Sequence, residues 1–227
     1  MTRSLLILRP MDGARRTAKN AEQMGLSVIV DPLFVVEPLD WTPPLASEFD
    51  ALLLTSANAV KHAGGQLEHY KQLPVLAVGD VTARAARQAG LNIVKTGDGG
   101  VEDLLASLPA GQYQRLLRLT GKDHVDFTPP AHILTLCHVY QSRALPLGEK
   151  ALAALRQGHV ILLYSPRAAK ILVGEMGRLG LDRSVNDIAA LSPNIAEAAG
   201  PGWKSVQAAA QPTDDALLSL AGRLCVS

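Results

Sequence analysis

Aromatic side chains are scarce in this sequence, at 4% of residues, and cysteines number only two. Cys137 and Cys225 are too few for a disulfide framework and have no metal-ligand spacing, so packed or idle thiols in a reducing compartment are expected. Neither sign of charge is in excess: 22 Lys and Arg stand against 21 Asp and Glu, a formal net charge of +1. There is no bulk field to draw nucleic acid or an acidic membrane, and an anionic partner has to be met by local groups. No apolar run approaches a membrane span. The opening run, residues 5–8, stops at Arg9 and is too short for the apolar region of a signal peptide, so a cytoplasmic protein is expected. A Walker loop, a dinucleotide fingerprint, a nucleophile elbow and a metal-spaced histidine pair are all missing. Residues 96–100 are glycine-rich but lack the strand-to-helix spacing of a phosphate cradle, and read as a tight loop. The six histidines, His62 and His69 seven apart on an expected helix among them, have no carboxylate or cysteine at ligand spacing, and no metal site is expected.

What the chain does contain is apolar residues, 48% of 227, enough for one large or two small cores. It also contains an echo of itself. Residues 52–61 read Leu-Leu-Leu-Thr-Ser-Ala-Asn-Ala-Val-Lys and residues 161–170 read Ile-Leu-Leu-Tyr-Ser-Pro-Arg-Ala-Ala-Lys. Each is a short apolar run that stops at hydroxyls and continues at helical spacing, hence a buried strand, a turn and a helix. Ser56 or Asn58 can cap the first of these helices. The echo extends to 75–86 against 188–199, to 101–108 against 213–220, and from the chain start at 4–8 to 115–119. The chain is therefore two copies of one architecture whose elements do not follow in simple order.

In chain order, a strand at 5–8 precedes a helix that Asp12 can cap and Gly25 ends. A strand at 28–30 is followed by the run 33–36 between Pro32 and Pro38, which reads as an extended, exposed connector. Residues 49–140 alternate strand and helix, with strands at 51–54, 75–78, 93–94, 116–119 and 133–139 and helices starting near Asn58, Val81, Val101 and Asp123. Such alternation builds a parallel sheet with helices on both faces. After a second connector at 141–146, a helix at 149–157, three further strands and a final helix at 213–224 complete the chain. Three late strands and two early ones match the five of the middle block. The expected fold is thus α/β with two similar domains, each a five-stranded parallel sheet of flavodoxin-like type with helices on both faces. Residues 1–36 and 143–227 form a discontinuous domain, residues 37–142 are inserted into it, and a two-stranded connector joins them.

Function in an open parallel sheet lies at the carboxyl ends of the strands, where helix amino termini gather. That places Arg9, Thr55, Ser56, Asn58, Gly79, Thr82, Tyr164, Ser165, Arg167, Ser192 and Asn194 as candidate binding groups for carboxylate or phosphate. Capping alone accounts for any single serine or threonine among them. The functional case rests on many such ends facing one cleft. Tyr140, at the second crossing between domains, is a candidate proton donor, and an interface aromatic is the plainer account of it.

The motifs Leu-Thr-Ser-x-Asn-Ala-Val at 54–60, Val-Gly-x-x-Thr-Ala at 78–83, Val139-Tyr140 and Ser165-Pro166 resemble, in the same order and over both halves, those of the uroporphyrinogen-III synthases. The resemblance implies a cofactor-free cyclising lyase of tetrapyrrole and haem biosynthesis. Such an enzyme turns the linear polycarboxylate hydroxymethylbilane into uroporphyrinogen III, with inversion of the last pyrrole ring and loss of water. It further implies that Tyr140 is the catalytic acid, that Thr82, Ser56 and Ser165 match family positions, and that a monomer takes its substrate from hydroxymethylbilane synthase. The family's second Ile-Gly-x-Thr-Thr-Ala motif is here Leu-Ser-Pro-Asn-Ile-Ala at 191–196, without the threonine hydroxyls, where Asn194 can still cap. The alternative reading is a two-domain protein that binds a small polyanion without chemistry.

Overall fold

In the computed structural model, residues 3–124, 126, 127 and 129–226 are described. The chain packs as two compact units, one of Met1–Val35 with Ala144–Ser227 and the other of Val36–Arg143.

The first unit contains β1 (Leu5–Ile7), α1 (Met11–Gln23) and β2 (Val28–Val30) from the start of the chain. Its later part supplies α5 (Glu149–Gln157), β9 (Val160–Leu163), α6 (Pro166–Arg178), β10 (Asp187–Ala190), α7 (Pro193–Ala199), β11 (Ser205–Ala208) and α8 (Asp214–Val226). The strands lie in the order β11-β10-β9-β1-β2, and every pair is parallel. Alternation along each strand divides the core in two. Leu6, Ile161, Leu163, Ile188 and Ala190 pack with α5, α6, α7 and Trp203. Leu5, Ile7, Val160, Leu162 and Ala189 face the other way, against Ala14, Ala18 and Ala21 of α1 and Leu217, Leu218 and Ala221 of α8. Alanine on α1 at a spacing of three or four lets that helix lie close on the sheet. Its cap departs from expectation: Pro10 is the N-cap, no side chain caps the helix, and Asp12 sits inside the first turn, where a carboxylate favours the helix dipole.

The second unit contains β4 (Ala51–Leu54), α2 (Ala57–His62), β5 (Pro74–Val78), α3 (Asp80–Gln88), β6 (Asn92–Gly97), α4 (Val101–Ala106), β7 (Arg115–Gly121) and β8 (Ile133–Ala144). Strand β3 (Phe34–Pro38) lies beyond β8 in the order β3-β8-β7-β4-β5-β6. The pairs β8-β7-β4-β5-β6 are parallel. The sheet therefore has six strands where five were expected, because the proline-flanked run became an edge strand. Leu145 N donates to Leu33 O at 2.8 Å and Leu39 N to Val139 O at 3.0 Å; the numbers run in opposite directions, so β3 and β8 are antiparallel. A proline ends β3, which an edge strand tolerates. Two helical expectations also fail. No helix forms among the described residues between Gly121 and Ile133; Pro129 and Pro130 have no N–H to donate to a helix. His62 ends α2, and a 3₁₀ stretch, Gly64–Tyr70, carries His69.

The repeat in the sequence matches β9 with β4, β10 with β5, and β1 with β7. Read through those matches, the two sheets have the same spatial order over five positions. Only the order in which the chain visits them differs.

Candidate active site

Ser56 and Ser165 are built alike. Each sits in extended backbone after its strand and is the N-cap of the following helix, Ser56 Oγ accepting from Asn58 N at 3.2 Å and Ser165 Oγ from Ala168 N at 3.1 Å. Pro166 follows Ser165 at the first helical position, where its missing N–H costs nothing. Ser56, not Asn58, is thus the cap of α2. At the third strand end Gly79 takes the N-cap of α3 with φ +80, a left-handed conformation that glycine adopts without strain. Its N–H donates to Gly97 O at 2.8 Å, and Thr82 is buried in the first turn behind it. At the fourth, Ser192 is the N-cap of α7 without a side-chain hydrogen bond to the helix. Asn194 lies inside α7, exposed, and does not cap. Ile195, where the family motif has threonine, is buried in the core of its unit.

In the first unit the Tyr164 hydroxyl is committed to a neighbouring side chain and Arg9 is engaged through Nη1. Tyr164 Oη donates to Asp214 Oδ1 at 2.5 Å, Thr17 Oγ1 donates to both Asp214 oxygens at 3.1 Å, and Arg9 Nη1 donates to Thr17 Oγ1 at 3.2 Å. The Arg9 guanidinium also lies 3.9 Å from the Tyr164 ring centre and 3.5 Å from Asp214 Oδ1. Burial first, and then the Asp214 carboxylate, push the Tyr164 phenol well above the usual tyrosine value, so Tyr164 stays neutral and ties α1, α8 and the end of β9 together. Beside this cluster a pocket of about 160 Å³ is lined by Leu8, Arg9, Pro10, Phe34, Leu162, Tyr164, Ser165 and Ala168. Arg167 lies exposed near it, its guanidinium 5.2 Å from the Phe34 ring. Asp214 and Thr17 were missed from the sequence, since nothing local brings an acid of the last helix to a threonine of the first.

In the second unit the pairing of β7 with β8 shifts register between Thr120 and Gly121: Thr120 faces His138, Gly121 faces Tyr140, and Val139 is the extra residue. A bulge of this kind re-aims the side chain that follows it. The Tyr140 ring lies so close over Gly121 that a Cβ there would come within 2.7 Å of it, and the backbone is pinned by Lys122 N donating to Tyr140 O at 2.9 Å. The ring centre of His62 stands 6.1 Å away, and those of His124 and His138 are 5.1 Å apart. Arg118 of β7 is buried at 5% exposure and donates from Nη2 to Thr55 Oγ1 at 3.4 Å. Burial lowers its pKa, against the opposing effect of Tyr140 and Asp126. The sequence reading passed over Arg118 as part of an apolar strand. The one available signal was a charged residue between leucines, at Leu-Leu-Arg-Leu. Among the described residues no group of three or more His, Cys, Asp or Glu is placed to hold a metal ion, and no helix is long and apolar enough to cross a membrane.

A family model described as uroporphyrinogen-III synthase HemD matches residues 15–219. The chain belongs to the uroporphyrinogen-III synthase family. A curated relative of that family from Chlorobaculum parvum is 31% identical over 100 residues, 40% of this chain and 41% of the relative, so the match spans less than half of the relative's length. The solved uroporphyrinogen-III synthetase of Helicobacter pylori 26695 resembles the fold with a TM-score of 0.65, at 15% identity, over 98% of this chain and 99% of that one. A mutant uroporphyrinogen III synthase from the extremely thermophilic bacterium Thermus thermophilus gives a TM-score of 0.52 at 15% identity, over 98% of both chains. At such identity these likenesses speak for the family's α/β fold, with parallel sheets and helices.

Proposed function

We propose that the protein closes hydroxymethylbilane into uroporphyrinogen III, inverting the terminal pyrrole ring and releasing water, and that Tyr140 protonates the departing hydroxyl. The observation that carries the activity is the family match over residues 15–219. The role of Tyr140 is supported by its bulge and by the glycine beneath its ring. The substrate is a polycarboxylate. Helix amino termini headed by Ser56, Gly79, Ser165 and Ser192 suit such groups, each isolated end contributing about 0.3–1 kcal/mol per anion. Four such ends supply at most about 4 kcal/mol, half of the roughly 8 kcal/mol of micromolar binding, so other contacts have to supply the rest. Arg9 and Tyr164 then act by shaping the end of β9, while Thr55, Asn58, Thr82, Arg167 and Asn194 remain candidate contacts.

In this reading residues 1–36 and 143–227 are one discontinuous domain and 37–142 an inserted one, both flavodoxin-like. The protein is a cytoplasmic monomer that needs no cofactor and receives its substrate from hydroxymethylbilane synthase. Freshly made hydroxymethylbilane supplied to the purified protein should yield the type III isomer after oxidation. The type I ring alone, which forms unaided, would overturn the activity and leave a binding protein for a polyanion. Tyr140→Phe is expected to slow turnover by at most about 10²-fold, the low end of general acid catalysis, because holding the bilane curled supplies the rest. Complete loss of activity in a folded variant would count against that division of labour.

A further inference from the structure

Arg9 does more than shape the end of β9. Its guanidinium is held in three ways: Nη1 donates to Thr17 Oγ1 at 3.2 Å, Cζ lies 3.9 Å from the Tyr164 ring centre, and a Cβ on Gly13 would come within 2.7 Å of Cζ. Only a glycine in the first turn of α1 admits the group so close. Asp214 also meets it at Nη1, 3.5 Å away, and is itself taken up by the hydroxyls of Thr17 and Tyr164. Among the described residues Nε and Nη2 have no hydrogen-bond partner, and Arg9 lines the pocket of about 160 Å³ in the first unit. Leu8, Phe34, Leu162 and Ala168 give that pocket apolar walls. Ser165 adds a hydroxyl that accepts from Ala168 N and so keeps its proton to donate. Pro10 and Ser165, both in the lining, are the N-caps of α1 and α6, so two positive helix ends adjoin one small apolar space.

A cavity of about 150 Å³ with apolar walls accepts benzene, so this pocket has room for a five-membered ring. An apolar space with a few fixed polar groups orients a ligand through those groups, and the two nitrogens left on Arg9 form the fork that a carboxylate fits. We propose that the pocket seats one pyrrole ring of the bilane, with a carboxylate arm of that ring on Nε and Nη2 of Arg9 and on the Ser165 hydroxyl. The proposal rests on the reading of the protein as the enzyme that closes hydroxymethylbilane. It supplies the binding that isolated helix ends leave over, because charge, hydroxyl and apolar wall meet one ring at a single place. The guanidinium is already fixed by Thr17, Tyr164 and Gly13, so little freedom is lost when the carboxylate arrives. A ring held in this way gives the flexible chain one fixed point about which to curl.

Titration of the full chain with pyrrole-3-propionate, a single ring with one carboxylate arm, tests the pocket directly when followed by the NMR shifts of backbone amides. Those of Ser165 and Ala168 should move and saturate. The methyl ester of the probe, which keeps the ring and loses the charge, should bind at least about 10-fold more weakly. Arg9→Met should weaken binding of the acid by a similar factor. With hydroxymethylbilane, Gly13→Ala should raise KM about 10-fold and change kcat by less than about 2-fold, the pattern of binding shared by ground and transition state. Alanine is the better helix former, but its Cβ pushes the guanidinium off its seat. Ala168→Leu, which fills the pocket and leaves Arg9 in place, should act in the same way. If circular dichroism shows Arg9→Met unfolded, Gly13→Ala takes its place in the titration. Equal binding of acid and ester, shifts remote from Ser165 and Ala168, or an unchanged KM in both Gly13→Ala and Ala168→Leu would overturn the proposal. Should the wild-type chain give only the type I ring while the probe still binds at Ser165, the activity falls and the pocket stands as a site for a carboxylated pyrrole. Should it give the type III ring with no shift at Ser165 or Ala168, the pocket falls alone.

Discussion

Both units pin the amino end of their sheet with an arginine and an aspartate, but in different surroundings. In the first unit Arg3 meets Asp187, whose side chain is 2% exposed and also accepts from Ser205 Oγ at 2.5 Å. Arg3 further donates to the carbonyl oxygens of Gly158 and His159 at 3.1 Å. In the second unit Arg115 meets Asp50 at 2.8 Å with side chains 49% and 32% exposed. The device is shared and its burial is not. At the carboxyl ends the contrast turns round: the first unit closes Arg9, Thr17, Tyr164 and Asp214 on one another, whereas the second buries Arg118 against Thr55 and turns Tyr140 over Gly121. One unit uses its charges to fasten helices to a strand end, and the other buries a guanidinium against a single hydroxyl.

The sharpest break of that comparison is in stability. Asp187→Ala strands a largely buried arginine and should cost about 3–5 kcal/mol, read from the fluorescence of Trp203 in the core of the same unit during denaturant unfolding. Asp50→Ala should cause a small, salt-sensitive change, since exposed pairs contribute little. Equal losses would mean that burial does not separate the two.

Gly121→Ala tests the proposed reactive end. The added Cβ has to displace the Tyr140 ring, and turnover should fall by as much as about 10²-fold, the penalty for misplacing a reacting group by an ångström. Ser56→Ala and Ser165→Ala should each lose about 1 kcal/mol of stability as N-caps. A KM rise confined to one of them would show which serine also meets the substrate.

The smallest effect expected is in pH dependence. For Asp187 burial pushes the pKa up, but the Ser205 hydroxyl and Arg3 together outweigh it and leave the carboxyl below its ordinary value. A carboxyl lowered by folding contributes stability that is present above its unfolded pKa and is lost as pH falls through the folded one. Melting of the first unit should therefore weaken in acid, and Asp187→Asn should flatten that slope. Tyr70 of the second unit, pushed up to about 12 by burial, has the opposite sign. Its contribution is complete below the unfolded value near 10 and is lost as pH rises toward 12, a slope that Tyr70→Phe should remove.

Much of the fold was legible because the strands are short and fully apolar. Ala51–Leu54 and Val160–Leu163 are buried throughout, and such runs leave little choice of element. The permuted repeat was legible too, since matched runs of residues survive a change in the order of the chain. The proline-bounded run was read as one strand of a two-stranded connector, and it does pair antiparallel with β8, though Leu33 and Phe34 are buried and not exposed; the misreading came after Asp123, where two prolines outweighed the helical pattern. At the site, hydroxyls at strand ends could be named from sequence. Which were already engaged could not, because Thr17 and Asp214 are 197 residues apart and meet only through packing.

The sequence by itself determined the alternation of strand and helix, the doubled architecture and the placing of serines at helix starts, all of which follow from hydrophobic period and capping chemistry within a dozen residues. Only the tertiary structure decided that Arg9 is fastened to Asp214, that Arg118 is buried, and that a one-residue bulge turns Tyr140 over Gly121. Those outcomes depend on register and burial, which arise when distant strands pair and are encoded in no single stretch of the chain.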